Sequence, residues 1–204
     1  MTLQELLGIE LPIVQAPMAG VQGSALAVAV SEAGALGSLP CAMLDVAVMR
    51  GELAAIRAAT ARPVNVNFFC HAPPEPDAGR EAAWRAALEE VFDEAGFEKG
   101  AELGVDPAAG APGAARTPFD DDALQVLEAF RPAVVSFHFG LPPPRLLAHV
   151  KALGARVLAS ATTVAEALWL ESRGVDAIVA QGIEAGGHRG MFLSHDLTTQ
   201  IGTL

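Results

Sequence analysis

The decapeptide Gln181–Gly190, QGIEAGGHRG, sets one imidazole, His188, among four glycines, directly after the apolar run Asp176–Ala180. Glycine at that density argues against a helix, where each residue costs roughly 1 kcal/mol relative to alanine. It favours a loop with positive φ, in which backbone amides approach a ligand closely. A strand that ends in such a loop is suited to holding a cofactor and moving a proton. An imidazole, with an intrinsic pKa of ~6.5, can be neutral near pH 7 without a large environmental shift. A second imidazole, His138, lies in the run AVVSFHF, and Asn67 lies in PVNVNFF. His71, His149 and His195 read as surface residues, and His149 has no ligating partner at i±4, so no metal site is expected. Cys41 and Cys70 fall just beyond strand ends without a basic neighbour and read as small apolar residues. The chain contains no tyrosine, so no phenol serves as acid, base or donor.

The elements that must position these groups are short apolar runs alternating with Ala/Leu-rich helical stretches. Six strands are predicted, at Pro12–Met18, Ala35–Leu39, Pro63–Phe69, Ala133–Phe139, Arg156–Ala161 and Ala177–Gln181. Helices are predicted over Ser24–Ala33, Leu44–Ala59, Pro143–Leu153 and Thr163–Ser172, with Gly34, Gly154 and Gly174 at left-handed caps. Such alternation implies βαβ units and a parallel sheet. Within the strands, one phase is apolar (Val64, Val66, Phe68; Val135, Phe137, Phe139). The other phase mixes in polar residues (Gln15; Asn65, Asn67; Ser136, His138). A doubly wound sheet, covered on both faces, favours apolar residues in both phases. A (β/α)8 barrel buries one phase under helices and places polar groups at the C-terminal rim of the strands. The fold class expected is therefore an α/β TIM-barrel type with about six βα units.

A long interruption separates the third and fourth strands, at about residues 71–122. It holds a helix candidate, Pro76–Glu94, and a Pro/Gly/Ala stretch, DPAAGAPGAARTP, that reads as an exposed loop. Over a barrel mouth such an insertion is either a lid or an excursion without a role.

Composition sets outer limits. Hydrophobic residues make up 51% and charged residues 18%, which fits a globular chain rather than a disordered one. The net charge of −11 disfavours nucleic acid as a partner, because phosphate binding needs clustered Lys and Arg. No apolar run reaches the ~18 residues a membrane helix requires. Glu5 and Glu10 stand where a secretory signal carries basic residues, so a cytoplasmic location is expected.

The ordered set PIVQAPMAG, SEAGALGSL, PVNVNFF, VVSFHFGLP and VDAIVAQGIEAGGHRG resembles the nitronate monooxygenase (2-nitropropane dioxygenase) family of flavin-dependent TIM barrels. The same set is also similar to flavin-dependent enoyl-(acyl carrier protein) reductases. The resemblance implies FMN as cofactor, a nitronate or nitroalkane as substrate and molecular oxygen as co-substrate. It implies that Ala16, Pro17 and Met18 lie along the isoalloxazine. It also implies flavin contacts from Asn67, Gln181, Gly186 and Gly187. His188 matches the family's catalytic base, and His138 matches a position facing the substrate. A base of this kind takes the α-proton of a nitroalkane; with a nitronate anion already bound, a protonated His188 orients the nitro group.

Two departures qualify that resemblance. The sequence closes on LTTQIGTL, which resembles the start of the helix before a seventh strand, where family members continue into phosphate-gripping loops. The expectation is thus a single, partial FMN-binding barrel domain over residues 1–204, C-terminally truncated. Its open edges would invite homo-oligomers, and it would bind FMN poorly unless a partner supplies the rest. The segment Phe97–Glu102 lacks the tyrosines that line the substrate pocket in some relatives. The rival readings are a flavin enoyl reductase, an NAD(P)H:quinone-type oxidoreductase, and a non-catalytic truncated homologue.

Overall fold

A computed structural model of the chain describes residues 1–73, 75, 77–94 and 117–204. They fall into two compact units, Met1–His71 with Arg116–Leu204, and Ala72–Ala115. In the second unit the described element is helix α4 (Ala78–Glu94). The Pro/Gly/Ala stretch of the expected insertion and the Phe97–Glu102 segment lie outside the described residues.

The first unit is built on five strands, β1 (Gly37–Pro40), β2 (Val64–Phe69), β3 (Val134–His138), β4 (Arg156–Ala161) and β5 (Ala177–Ala180). All pair in parallel and in sequential order, β1-β2-β3-β4-β5. Sequential order with one direction is the singly wound arrangement of a (β/α) barrel; a doubly wound sheet reverses its strand order partway across. The expected first strand, Pro12–Met18, is reduced to one parallel bridge, Val14 to Leu36, with backbone bonds Gln15 N to Leu36 O and Leu36 N to Ile13 O. Pro12 and Pro17 flank the bridge and donate no ladder hydrogen bond, which keeps the pairing short.

Helix boundaries follow from local chemistry. The side chain of Asp45 caps α3 (Val46–Ala59) by accepting from Val48 N at 2.8 Å, and Met49, Leu53 and Ile56 bury one stripe. Thr163 caps α7 (Val164–Ser172), accepting from Glu166 N at 3.2 Å. The doublet Pro143–Pro144 opens α6 (Pro144–Ala152). Gly34, Gly154 and Gly174 have positive φ at the helix ends, as the sequence predicts. Helix α2 (Ser24–Glu32) lies so close to β1 that a Cβ on Gly37 would run into the Ala27 carbonyl.

Two helices were not expected from the sequence. One, α1 (Leu3–Leu7), begins with a capping box between Thr2 and Glu5. The other, α5 (Asp121–Phe130), is capped by Asp120 and buries Ala123, Leu124, Val126 and Leu127.

The two sheet faces divide as the strand phases require. Leu39, Val64, Val66, Phe68, Val135, Phe137 and Val157 pack beneath α3, α5 and α6 in one large core. On the opposite face Leu36, Val134 and Leu158 meet Leu7 and Ile9, so the segment containing α1 closes the N-terminal end of the sheet. Moving two residues along each strand on that inner face replaces Leu36 by Ser38, Val134 by Ser136 and Leu158 by Ser160. Polarity therefore rises toward the C-terminal ends, which is where chemistry can be placed.

Candidate functional site

The inner polar layer is a hydrogen-bonded lattice. Ser38 donates its hydroxyl to Gln15 O at 2.6 Å and accepts from Asn65 Nδ2 at 3.0 Å, while Ser38 N donates to Gln15 Oε1 at 3.1 Å. One level up, Asn67 Nδ2 donates to Ser136 Oγ at 2.9 Å and to Ser136 O at 3.3 Å. These bonds fix the Asn67 amide in one orientation, with its carbonyl oxygen directed away from Ser136. The peptide at Ala16 is tied to the same lattice by Gln22. Its Nε2 donates to Ala16 O at 3.2 Å and to Ser38 O at 3.1 Å. Gln22 was not singled out in the sequence, although it holds a proposed flavin-facing peptide. Ala16, Pro17 and Met18 themselves are exposed.

At the C-terminal ends of β3 and β5 the glycine loop is held by its backbone. His138 Nε2 lies 3.1 Å from the carbonyl oxygen of His188, and Gln181 Nε2 donates to that same oxygen at 2.9 Å. Gln181 Oε1 accepts from Gly190 N at 2.7 Å, so one amide side chain grips the loop on both sides of Arg189. Because a carbonyl only accepts, His138 must carry its proton on Nε2, which leaves Nδ1 as an acceptor in the neutral ring. Burial holds the His138 pKa below the ordinary imidazole value, and the neighbouring His188 ring adds to that effect against the bond to its carbonyl. His138 and Gln181 thus act on the loop backbone, a role that residue type and strand phase alone do not reveal.

With its carbonyl restrained twice, the His188 side chain remains exposed, and its ring makes no hydrogen bond among the described residues. It stands beside an aromatic wall, 5.5 Å from the Phe69 ring centroid and 6.1 Å from that of Phe139. Phe139 also packs on His138, 4.5 Å between centroids. Phe139 has φ +65°, uncommon for a bulky residue, and Gly140 follows at φ +89°. That pair turns the chain sharply at the end of β3, beside the proposed site.

His71 corrects the sequence reading. It is half-buried, its ring lies 6.2 Å from Phe69 and 6.1 Å from Phe139, and its buried Nδ1 has no hydrogen-bond partner among the described residues. The signal was present: His71 continues the 65, 67, 69 phase of β2, two residues past the strand end. His149 and His195 are exposed as expected, with His149 Nε2 paired to Glu128 at 2.9 Å.

Gly186 and Gly187 lie in the open part of the loop, where an added Cβ would meet nothing within 4 Å. Gly187 adopts φ +78°, a conformation that suits glycine. Gly190 is different: a Cβ there would lie 2.5 Å from His138 Cε1. The other loop end is held by Glu166, a buried carboxylate outside the sequence-derived site. Burial pushes its pKa up, but bonds from Phe192 N, from Thr162 N and Oγ1 and from Leu193 N outweigh that and hold it below the ordinary carboxylate range. The thiols of Cys41 and Cys70 are pushed up by burial, so neither is poised as a thiolate nucleophile. Among the described residues no cluster of His, Cys, Asp and Glu could hold a metal, and no helix is long and apolar enough to cross a membrane.

The structure thus joins His138, Gln181 and His188 directly, and sets Asn67 (with Ser136) and the Ala16 peptide (with Gln22 and Ser38) in two neighbouring hydrogen-bonded groups. Among the described residues no side-chain hydrogen bond connects either group to the glycine loop. A barrel-type sheet with polar groups, an aromatic wall and an imidazole-bearing glycine loop at its C-terminal rim defines an α/β protein of the barrel class, with a candidate small-molecule site at that rim.

Comparison with known proteins narrows that class. The family model described as nitronate monooxygenase matches residues 1–203, and the chain belongs to this flavin-dependent family. It is 45% identical over 208 residues to a nitronate monooxygenase of Paraburkholderia phytofirmans, covering 98% of this chain and 53% of that protein. It is 45% identical over 200 residues to one of Pseudomonas aeruginosa, covering 98% and 55%. Among solved structures, nitroalkane oxidase from Streptomyces ansochromogenes superposes with a TM-score of 0.77 at 38% identity, over 99% of this chain and 55% of that one. FabK from Thermotoga maritima superposes with a TM-score of 0.63 at 25% identity, over 93% and 46%. The chain spans about half the length of the curated relatives it matches.

Proposed function

We propose that this chain carries the substrate-activating part of an FMN-dependent oxidation of alkyl nitronates or nitroalkanes by molecular oxygen. The observation that carries the proposal is the His188 side chain: exposed, free of hydrogen bonds among the described residues, and set beside an aromatic wall by a twice-restrained carbonyl. A base for a carbon acid needs that freedom together with a fixed backbone. In this reading His188 takes the α-proton of a nitroalkane, or orients the nitro oxygens of a nitronate that binds already deprotonated. His138, kept neutral by burial, supports the loop through its Nε2 bond to the His188 carbonyl. Phe69 and Phe139 supply apolar surface that excludes water around the reacting carbon.

The donor set suits a flavin. The exposed Ala16–Pro17–Met18 segment offers a backbone edge held in place through Gln22. Asn67 offers a fixed amide, and Gly186 and Gly187 leave open space where a ring can approach the backbone. Gln181 completes the set at the end of β5. When bound, the flavin supplies the electron-accepting chemistry that couples substrate oxidation to oxygen.

The test is oxygen uptake by the FMN-reconstituted chain with an alkyl nitronate. Uptake that depends on nitronate and FMN supports the proposal. Oxidation of NAD(P)H with an enoyl thioester or a quinone, without nitronate turnover, would replace it with the reductase reading. Colourless protein with neither activity would favour a non-catalytic homologue.

A further inference from the structure

The buried carboxylate of Glu166 is unused in the mechanism above, and its bonding exceeds what helix capping requires. Its backbone N–H donates to Thr163 Oγ1 at the start of α7, half of a capping box. The other half would return its carboxylate to the Thr163 amide. Instead Oε2 accepts from Thr162 N at 2.7 Å and from Thr162 Oγ1 at 2.8 Å. Oε1 turns toward the far end of the glycine loop, where it accepts from Phe192 N at 2.7 Å and from Leu193 N at 3.2 Å. Glu166 is 1% exposed, and all four donors are neutral. Among the described residues no cation pairs with it, so these hydrogen bonds offset the cost of burying its charge.

Those bonds fix the segment that follows His188. The Phe192 ring packs on Trp169 of α7 at 5.1 Å between centroids and sits against Gly140, where an added Cβ would lie 3.2 Å from its Cδ2. Upstream, Gln181 and His138 hold the His188 carbonyl and the Gly190 amide. The imidazole of His188 therefore belongs to a span gripped at both ends.

We propose that Glu166 is a positioning residue for His188, setting the place of the imidazole by anchoring Phe192 and Leu193 to the start of α7. The inference rests on the functional reading above only for its catalytic consequence; the anchoring is measurable in protein without flavin. The experiment compares wild type with Glu166→Gln, which keeps the shape but loses the charge and one acceptor oxygen. Amide hydrogen exchange and the imidazole resonances of His138 and His188 are read in the flavin-free full chain. Exchange at Phe192 and Leu193 is expected to quicken on the order of tenfold or more, as loss of a charged acceptor requires. The change is expected to spread to Gly190 and to move both imidazole resonances.

Faster exchange confined to Thr162–Glu166, with both imidazoles unmoved, would make Glu166 a helix cap and overturn the proposal. Should Glu166→Gln fail to fold, Phe192→Leu loosens the same anchored end while leaving the carboxylate intact. Shifted imidazole resonances in Phe192→Leu support the proposal, and unshifted ones overturn it. In reconstituted enzyme, Glu166→Gln is expected to lower kcat for a nitroalkane at least tenfold, with a smaller change in KM. Absence of activity in wild type as well would count against the functional reading and leave the exchange result standing.

Discussion

Gly190→Ala probes the loop at its tightest contact. An added Cβ would stand 2.5 Å from His138 Cε1, 2.9 Å from Nδ1 and 3.1 Å from Nε2. Reaching an ordinary contact of 3.4 Å requires about 0.9 Å of movement by the ring or by the loop. The ring cannot retreat freely, because Phe139 stands 4.5 Å away and Phe69 5.9 Å away, centroid to centroid. A shift of that size also breaks the 3.1 Å contact between His138 Nε2 and the His188 carbonyl. Overpacking of a tight site costs about 1–3 kcal/mol. Loss of a neutral hydrogen bond adds roughly 0.5–1.5 kcal/mol. The sum is a destabilisation of roughly 1.5–4.5 kcal/mol. Urea unfolding of wild type and variant measures it, and the His138 imidazole resonances report whether the bond survives. A loss under about 0.5 kcal/mol with those resonances in place would refute the steric argument.

Other outcomes follow from the same geometry. Gly37→Ala drives a Cβ into the Ala27 carbonyl, which is backbone and cannot rotate away, so it is expected to cost more than about 3 kcal/mol in urea unfolding or to prevent folding. Because burial lowers the His138 pKa, the unfolded chain binds the proton more readily. Stability is therefore full above about pH 6.5 and falls as the pH drops from there toward the folded value; His138→Gln is expected to remove that slope. The depressed pKa of Glu166 has the same sign, with its contribution present above about pH 4.3 and lost as the pH falls through the folded value. Acid unfolding of Glu166→Gln is accordingly expected to be less steep in that window.

Much of the architecture was legible because strand phase and glycine caps are local signals. β4 matches its predicted span residue for residue, and β2, β3 and β5 match to within one residue at either end. The rise of polarity along Val134, Ser136 and His138 points to the same C-terminal strand ends at which the structure gathers His138, Gln181 and the glycine loop. The first strand failed because pairing is a tertiary event: Ile13 and Val14 favour a strand, but two flanking prolines limit the ladder to one bridge. Helix α5 was missed although Asp120, with Asp121 and Asp122 behind it and a Leu124–Leu127 stripe, spelled out a helix start. The expected interruption, at about residues 71–122, overlaps only the first two residues of this helix, and no element is predicted between it and the fourth strand.

Within the site, identity was easier to read than partnership. His188 and its glycines announce themselves by composition. That Gln181 and His138 converge on one carbonyl depends on side chains meeting across two strands and a loop. Glu166 was invisible for a related reason, since a glutamate three residues into a helix reads as a cap until its second oxygen is seen to hold another segment.

The central claim is that His188 handles the substrate proton, and it is tested by comparing His188→Asn with wild type on two forms of one substrate. In FMN-reconstituted protein, oxygen uptake is followed with a neutral nitroalkane and with its preformed nitronate. Loss of a general base is expected to slow the nitroalkane reaction by about 10²–10⁴-fold and the nitronate reaction far less. Equal rates for variant and wild type on the nitroalkane would contradict the account.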